Sequence, residues 1–264
     1  MSLGGVMARI WTGTIQRALV VENPDRSLDV QLESEGMWVR RLEQTPDEDG
    51  LIREINEYQI QVVFKRSKVQ ITRRLIESCP SLLAIQLCCI GDDSIDKEAC
   101  AEHGIMIFND PISNGRSVVE LVIGTILSLA RRLYETNTVC RQGAWDKNNI
   151  ERYEVQGKAL GIIGLGNIGR AVARIAEQLG MRIHFFDTRQ VSIELGREMG
   201  WVHYDSLEAI FAASDCITVH LSANDIKGES NEGRLTLEHF RALGRERPTG
   251  PRIFINFARG FLHR

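Results

Sequence analysis

Residues 160–169 read LGIIGLGNIG, an apolar run followed at once by three glycines in the spacing G-x-G-x-x-G. After the glycines, apolar residues recur at helical spacing as far as Leu179. The pattern predicts a buried strand, a tight turn and then a helix. In such a turn Gly164 lets the chain bend, Gly166 lets backbone N–H groups approach a phosphate, and Gly169 lets the helix pack closely on the strand.

The start of that helix, at Asn167 and Ile168, would direct unpaired backbone N–H groups toward an anion. A second predicted strand, Arg182–Phe186, ends at Asp187, whose carboxylate can accept hydrogen bonds from the hydroxyls of an adenosine ribose. Together these features predict a dinucleotide site. Its predicted residues are Gly164, Gly166, Asn167, Ile168, Gly169 and Asp187. The alternative is that the glycines only tighten a turn and that Asp187 is a solvated acid.

Asp187 also bears on which dinucleotide is bound. A 2′-phosphate held about 4 Å from this carboxylate would be repelled by roughly 4 kcal/mol per charge pair at an effective dielectric constant near 20. Arg189, two residues later, would lessen the repulsion. We therefore predict NAD as the cofactor, favoured over NADP.

The composition is that of an ordinary globular protein, with 264 residues, 32 Lys and Arg, 35 Asp and Glu, and a net charge of -3. This balance, without a basic block, argues against a nucleic-acid partner. The longest apolar run, residues 121–130, is too short to cross a membrane, and the N-terminus shows no secretory signal. The six cysteines include no C-x-x-C pair, so we expect reduced, mostly buried thiols, no metal site and a cytoplasmic protein.

Short apolar runs alternate with helical stretches along most of the chain. Strands are predicted at 18–21, 37–42, 61–64, 82–87, 105–108, 159–164, 182–186, 216–221 and 252–256, and helices at 47–56, 71–78 and 95–103. The alternation predicts an α/β protein with two doubly wound parallel sheets, and the glycine turn makes the second a Rossmann domain. Turn residues near 111–114 place the domain limits at 1–112 and 113–264. A capping box of Ser117 and Glu120 predicts a long helix from Ser117 to Leu133.

Four strings are more specific than the fold. They are GIMIFN at 104–109, SNGRSVVEL at 113–121, the glycine turn, and NFARG at 256–260. Together they resemble the D-isomer-specific 2-hydroxyacid dehydrogenases, and the first two are most similar to the branch that oxidises 3-phosphoglycerate to 3-phosphohydroxypyruvate in serine biosynthesis. The resemblance implies an NAD-dependent oxidoreductase whose first domain has a flavodoxin-like fold and binds a small 2-hydroxy acid.

The resemblance also implies roles for residues at matching positions. Those implied to bind substrate are Arg66, Ser67, Ile90, Gly91 and Asn114; those implied to contact the cofactor are His220 and Ala258; Arg259 is the implied catalytic arginine. A planar guanidinium can hold the carboxylate and keto oxygens of the substrate together as hydride moves. At His220 the match is weaker, because Ser222 replaces the proline usual in the family.

The family also uses a Glu and a Pro-His histidine beyond the arginine, and this sequence ends at Arg264 without them. General acid–base catalysis contributes about 10² to 10⁴ in rate, so we expect impaired turnover from a fragment of a longer enzyme or from a naturally truncated cofactor binder. The alternatives are a dehydrogenase for another 2-hydroxy acid, such as glycerate or lactate, and a non-catalytic NAD(H) sensor. We expect a homo-oligomer, since Trp145 lies in a segment resembling one used in the family's dimers.

Overall fold

The structure, a computed structural model, describes residues 13–89, 91–110, 115–145, 147–225, 228–258 and 260–262. The chain divides into two compact units, Met1–Asn114 and Gly115–Arg264. The domain limits of the sequence analysis stay a prediction, because residues 111–114 lie outside the described part of the chain. Three predicted site residues, Ile90, Asn114 and Arg259, lie outside it as well.

The first unit is a five-stranded parallel sheet with helices in the crossover connections. Its strands are β1 (Arg17–Val20), β2 (Trp38–Arg41), β3 (Val62–Lys65), β4 (Ala84–Leu87) and β5 (Met106–Asn109). Its helices are α1 (Ser27–Ser34), α2 (Glu48–Glu57), α3 (Arg73–Ser78) and α4 (Lys97–His103). The strand order β2-β1-β3-β4-β5 is that of flavodoxin-like sheets, which confirms the predicted fold of this unit.

Short polar residues define where the helices of this unit begin. The Asp47 side chain accepts from the N–H of Gly50 at the start of α2 (2.8 Å), and Asp96 accepts from Ala99 at the start of α4 (2.8 Å). Such caps satisfy N–H groups that have no partner within the helix. α4 ends at Gly104, whose φ of 67° is readily adopted by glycine. Local sequence thus sets both ends of this crossover.

The second unit is another five-stranded parallel sheet. Its strands are β6 (Ala159–Ile163), β7 (Arg182–Phe186), β8 (Val202–His203), β9 (Cys216–Val219) and β10 (Ile253–Asn256). Its helices are α5 (Gly115–Ala130), α6 (Leu133–Arg141), α7 (Asn167–Gln178), α8 (Gln190–Glu198), α9 (Leu207–Ala213) and α10 (Leu237–Ala242), with a 3₁₀ turn at Gly260–Leu262. The order β10-β9-β6-β7-β8 is the five-strand form of the Rossmann arrangement, as predicted.

The helix predicted from Ser117 to Leu133 is in fact two helices. Arg132 has a φ of 54°, a left-handed conformation that separates α5 from α6. The predicted capping box is also wrong, because Ser117 lies inside α5 rather than at its start. Glu120 instead accepts a hydrogen bond from Nε of Arg116 on the same helix (2.6 Å). An i, i+4 ion pair has replaced the expected cap.

Each unit buries its own apolar residues. The first packs Leu19, Leu51, Ile55, Ile60, Val63 and Leu75 into one core, and the second packs Val119, Val122, Leu160, Ile162, Val172 and Phe185. Cys79, Cys100 and Cys216 are buried, as expected for small apolar side chains, whereas Cys140 is exposed. Among the described residues no helix is long and apolar enough to cross a membrane.

Candidate functional site

The carboxyl ends of four strands in the second unit meet at one edge of its sheet. They lead into Gly164 after β6, Asp187 after β7, His220 after β9 and the Ala258 segment after β10. The strand order reverses between β6 and β9, and in open α/β sheets ligands bind in the crevice at such a reversal. The structure therefore brings the predicted glycine turn to the position in the sheet where this fold binds ligands.

Gly164 and Gly169 make the turn tight enough for backbone to approach backbone. Gly164 has a φ of 93°, and its N–H donates to the carbonyl of Phe186 at the end of β7 (2.9 Å). A Cβ on Gly164 would stand 2.9 Å from the carbonyl oxygen of His220, and one on Gly169 would overlap the carbonyl oxygen of Gly164. Neither position has room for a side chain.

α7 begins within the glycine motif and contains its last glycine, Gly169. Gly166 is its N-cap, in an extended conformation. Asn167 is exposed and accepts from Nη2 of Arg170 (2.7 Å), while Ile168 packs against the core of the unit. The first N–H groups of a helix have no partner inside it, and they lie at its positive end. This cradle, lacking side chains where the backbone must come close, fits the pyrophosphate of a dinucleotide.

Asp187 is almost fully buried beside the turn. Its carboxylate accepts from the backbone N–H of Leu165 (2.8 Å) and of Arg189 (2.8 Å). It also accepts from Nε (3.1 Å) and Nη2 (2.8 Å) of Arg189. Burial alone would raise the pKa of Asp187, but these hydrogen bonds and the guanidinium charge outweigh it, so the pKa lies below its ordinary value. The group is a carboxylate at neutral pH.

His220 and Ala258 lie after β9 and β10, on the other side of the strand-order reversal. Nε2 of His220 is 3.1 Å from Oγ1 of Thr218, and burial lowers the pKa of His220 to about 4. The imidazole is therefore neutral at pH 7 and adds no positive charge to the site. The N–H of Ala258 donates to Oδ1 of Asn256 (3.0 Å), which turns the chain just before the position of Arg259.

The first unit gathers the predicted substrate segments at the carboxyl edge of its own sheet. Arg66 and Ser67 follow β3 and are exposed, and Gly91 follows β4. Lys65 joins the two segments, since its Nζ donates to the carbonyl of Arg66 (2.7 Å) and to Oγ of Ser94 (2.6 Å). The structure thus brings together the described members of the predicted substrate set.

A cavity of about 440 Å³ lies in the first unit. It is lined by Leu28, Phe64, Gln86, Leu87, Cys88, Cys89 and Asp110. Sγ of Cys89 donates to the carbonyl of Gly91 (3.3 Å), which connects the cavity wall to a predicted substrate segment. Burial raises the pKa of Cys88, so its thiol stays protonated at neutral pH. The volume is in the range of small-molecule pockets.

Sequence reasoning missed Lys65, Ser94 and the full engagement of Asp187 by Arg189. Lys65 closes an otherwise apolar strand and is completely buried, where burial lowers its pKa and the charge of Glu22 opposes that change. The alternation of the strand could have predicted this burial, because Val63 and Lys65 are two residues apart and therefore face the same side of the sheet. No local signal marks Ser94, which lies 29 residues away in sequence.

The family model described as "D-isomer specific 2-hydroxyacid dehydrogenase, NAD binding domain" matches residues 123–264. D-3-phosphoglycerate dehydrogenase of Haemophilus influenzae is 40% identical over 156 residues, which are 59% of this chain and 37% of that protein. D-3-phosphoglycerate dehydrogenase 2 of Saccharomyces cerevisiae is 33% identical over 226 residues, covering 85% of this chain and 46% of that protein. The chain spans less than half the length of these curated relatives.

Among solved structures, the apo-structure of D-lactate dehydrogenase from Escherichia coli matches with a TM-score of 0.75 and 23% identity. The match covers 94% of this chain and 76% of that one. At this identity the similarity bears on the fold alone, and it agrees with the two strand orders described above.

Proposed function

The chain belongs to the D-isomer-specific 2-hydroxyacid dehydrogenase family, and from that premise we propose that it serves the NAD-dependent oxidation of 3-phosphoglycerate to 3-phosphohydroxypyruvate. The observation that carries the substrate is the identity of 33 to 40% to two proteins named D-3-phosphoglycerate dehydrogenase. This reaction would place the protein in serine biosynthesis. Fold alone does not select a substrate, so the proposal rests on the relatives and on the site residues.

The cofactor role belongs to the carboxyl edge of the second sheet. The backbone of Gly164, Gly166 and Gly169 and the start of α7 would hold the pyrophosphate. Asp187 would accept from the ribose hydroxyls, and His220 and Ala258 would flank the nucleotide from the neighbouring strands. When bound, NAD supplies the hydride acceptor for the reaction.

The substrate role belongs to the first unit and to Arg259. Arg66, Ser67 and Gly91 would bind the acid at the edge of the first sheet, and Asn114 and Ile90 complete the proposed set. Arg259 would hold the carboxylate and the C2 oxygen in one plane with its guanidinium. As hydride leaves C2, this cation would stabilise the oxygen on which negative charge develops.

A phosphorylated acid differs from lactate or glycerate by carrying additional negative charge. Arg66 is exposed directly after β3, and its carbonyl accepts a hydrogen bond from the buried Nζ of Lys65. The planar guanidinium of Arg66 can bind a phosphate through two N–H donors, and the fixed backbone lowers the conformational entropy lost by this segment on binding. We therefore assign Arg66 to the recognition of the charged end of the substrate.

The test measures the affinity of the NADH complex for three keto acids: 3-phosphohydroxypyruvate, hydroxypyruvate and pyruvate. The proposed function predicts binding of the phosphorylated acid at least about tenfold tighter than of the other two, as expected when a charged hydrogen bond is lost. NADH oxidation is followed in the same samples. Equal binding of all three acids would favour another 2-hydroxy acid, and NADH binding without any effect of the acids would favour an NAD(H) sensor.

The Arg66→Gln variant makes the same test specific to one residue. It should remove most of the preference for the phosphorylated acid while leaving the Kd for NADH unchanged. Lys68→Gln is the matched control, because Lys68 is an exposed cation in the same segment. A preference that survives Arg66→Gln would contradict the assignment of Arg66.

A further inference from the structure

The Asp187 carboxylate is fully occupied by hydrogen bonds within the second unit. Oδ1 accepts from the backbone N–H and Nε of Arg189, and Oδ2 accepts from the N–H of Leu165 and from Nη2 of Arg189. An ionised carboxylate offers about four acceptor positions. All of them are taken, and the Arg189 side chain takes two.

These donors differ in how easily they can be displaced. Leu165 is buried in the glycine turn, and the N–H of Arg189 is held by the chain as it enters α8, so both backbone donors are fixed by the fold. The guanidinium is different, because the Arg189 side chain is 43% exposed. The two hydroxyls of an adenosine ribose can therefore bind Asp187 only if they displace this guanidinium.

The guanidinium also lies beside the predicted pyrophosphate cradle. Nη2 of Arg189 is 3.7 Å from the place where a Cβ of Gly166 would stand. Gly166 is the N-cap of α7, whose N-terminus carries partial positive charge. A guanidinium is a planar fork that matches phosphate oxygens in a bidentate manner. The exposed cation and the helix end thus favour additional anionic charge at this place.

We propose that Arg189 is a specificity-determining residue that competes with the ribose hydroxyls of NADH for Asp187 and pairs with the 2′-phosphate of NADPH, so that the chain binds both cofactors. Asp187 without a partner would repel that phosphate, whereas the Asp187–Arg189 pair has no net charge. The proposal rests on the proposed function only in requiring a nicotinamide dinucleotide. It does not depend on which acid is the substrate.

The test is the equilibrium Kd for NADH and for NADPH, measured by nicotinamide fluorescence and therefore independent of turnover. The unmodified chain should bind NADPH within about thirtyfold of NADH. Arg189→Gln should raise the Kd for NADPH by at least about tenfold relative to the Kd for NADH, as expected for a lost charged hydrogen bond to the 2′-phosphate. Asp187→Asn should raise the Kd for NADH more than the Kd for NADPH.

Arg197→Gln is the matched control, because it removes the same charge from the far end of α8, where Arg197 is exposed. It should leave the ratio of the two Kd values within about twofold of the unmodified chain. Arg189→Lys keeps the charge and loses the planar fork, so its ratio should lie between those of the unmodified chain and Arg189→Gln.

The proposal is overturned if the unmodified chain discriminates against NADPH by more than about thirtyfold, or if Arg189→Gln shifts the NADPH to NADH ratio less than about fivefold. If Arg189→Gln does not fold, Arg189→Lys takes its place, and a shift of the NADPH to NADH ratio of less than about 2.5-fold overturns the proposal. Binding of both cofactors without any response to 3-phosphohydroxypyruvate would contradict the proposed function and leave the role of Arg189 intact. If the acid strongly affects the NADH complex but the ratio of the two Kd values does not respond to Arg189→Gln, the role of Arg189 is contradicted and the proposed function stands.

Discussion

Gly166 and Gly169 stand three residues apart in one turn, yet an added methyl group would meet different surroundings at each. At Gly169 it would overlap the carbonyl oxygen of Gly164, which is backbone and cannot rotate away. At Gly166 the nearest atom would be Nη2 of Arg189 at 3.7 Å, an ordinary contact with a flexible side chain. Gly169 is thus required by the packing of the protein itself, whereas Gly166 is required by the ligand that the turn is proposed to bind.

The alanine variants of these two glycines should separate stability from binding. Gly169→Ala should lower the free energy of unfolding by about 1 to 3 kcal/mol, because helix and strand must move apart. Gly166→Ala should change it by less than about 1 kcal/mol and still weaken NADH binding, since its Cβ occupies the path of the pyrophosphate. Urea titrations and NADH titrations of both variants provide the measurement. Unaltered NADH affinity in Gly166→Ala would argue against this turn as the cofactor site.

At the scale of elements, the sequence predicts best what depends on neighbours in the chain. β6 was predictable because a strand buried on both faces reads as a continuous apolar run, and β7 because three of its five residues are Ile or Phe. β8 was missed because it consists of Val202 and His203 alone, too short for any pattern. The end of α5 was placed too late because the left-handed conformation of Arg132 has no local signature.

The same distinction holds for the candidate sites. The glycine turn and Asp187 were predictable because their spacing is fixed by a single strand, helix and strand unit. The contact of Lys65 with Ser94 was not, because it depends on the register of β3 beside β4 and on a connection that returns 29 residues later. Predictions for Ile90, Asn114 and Arg259 stay as they were, outside the described residues.

Lys65 ties two connections of the first sheet together, and its removal should loosen both. In Lys65→Met the carbonyl of Arg66 and Oγ of Ser94 lose their shared donor. We expect faster amide exchange in residues 66–71 and 92–96, weaker binding of the substrate acid, and an unchanged Kd for NADH. Mass-spectrometric hydrogen exchange and NADH titration measure these effects.

Two further variants make the Lys65 experiment decisive. Ser94→Ala removes one of the two bonds and should show a smaller effect in the same segments. Lys68→Met changes an exposed lysine nearby and should leave exchange unaltered. Protection of 66–71 and 92–96 that is the same in Lys65→Met as in the unmodified chain would show that the hydrogen bonds from Nζ of Lys65 do not hold these connections.

For the whole molecule, the separate apolar cores of the two units indicate two unfolding events. Ile55 belongs to the core of the first unit, Ile210 belongs to a further apolar cluster of the second unit, and both side chains are completely buried. The glycine turn and Asp187 belong to the second unit. A ligand stabilises only the structure that binds it, by about 2.7 kcal/mol at one hundred times its Kd. Calorimetry of the whole chain should therefore show two transitions, of which NADH raises one.

Cavity-forming variants identify which transition belongs to which unit. Ile55→Ala should lower the NADH-insensitive transition, with a loss of about 2 to 5 kcal/mol, and leave the Kd for NADH unchanged. Ile210→Ala should lower the NADH-sensitive transition by a similar amount, because both isoleucines have no exposed surface. A single transition that both variants lower and NADH raises would show that the units unfold as one. In that case loss of packing in the first unit would reduce cofactor binding by the second, because every opening of one core would open the other.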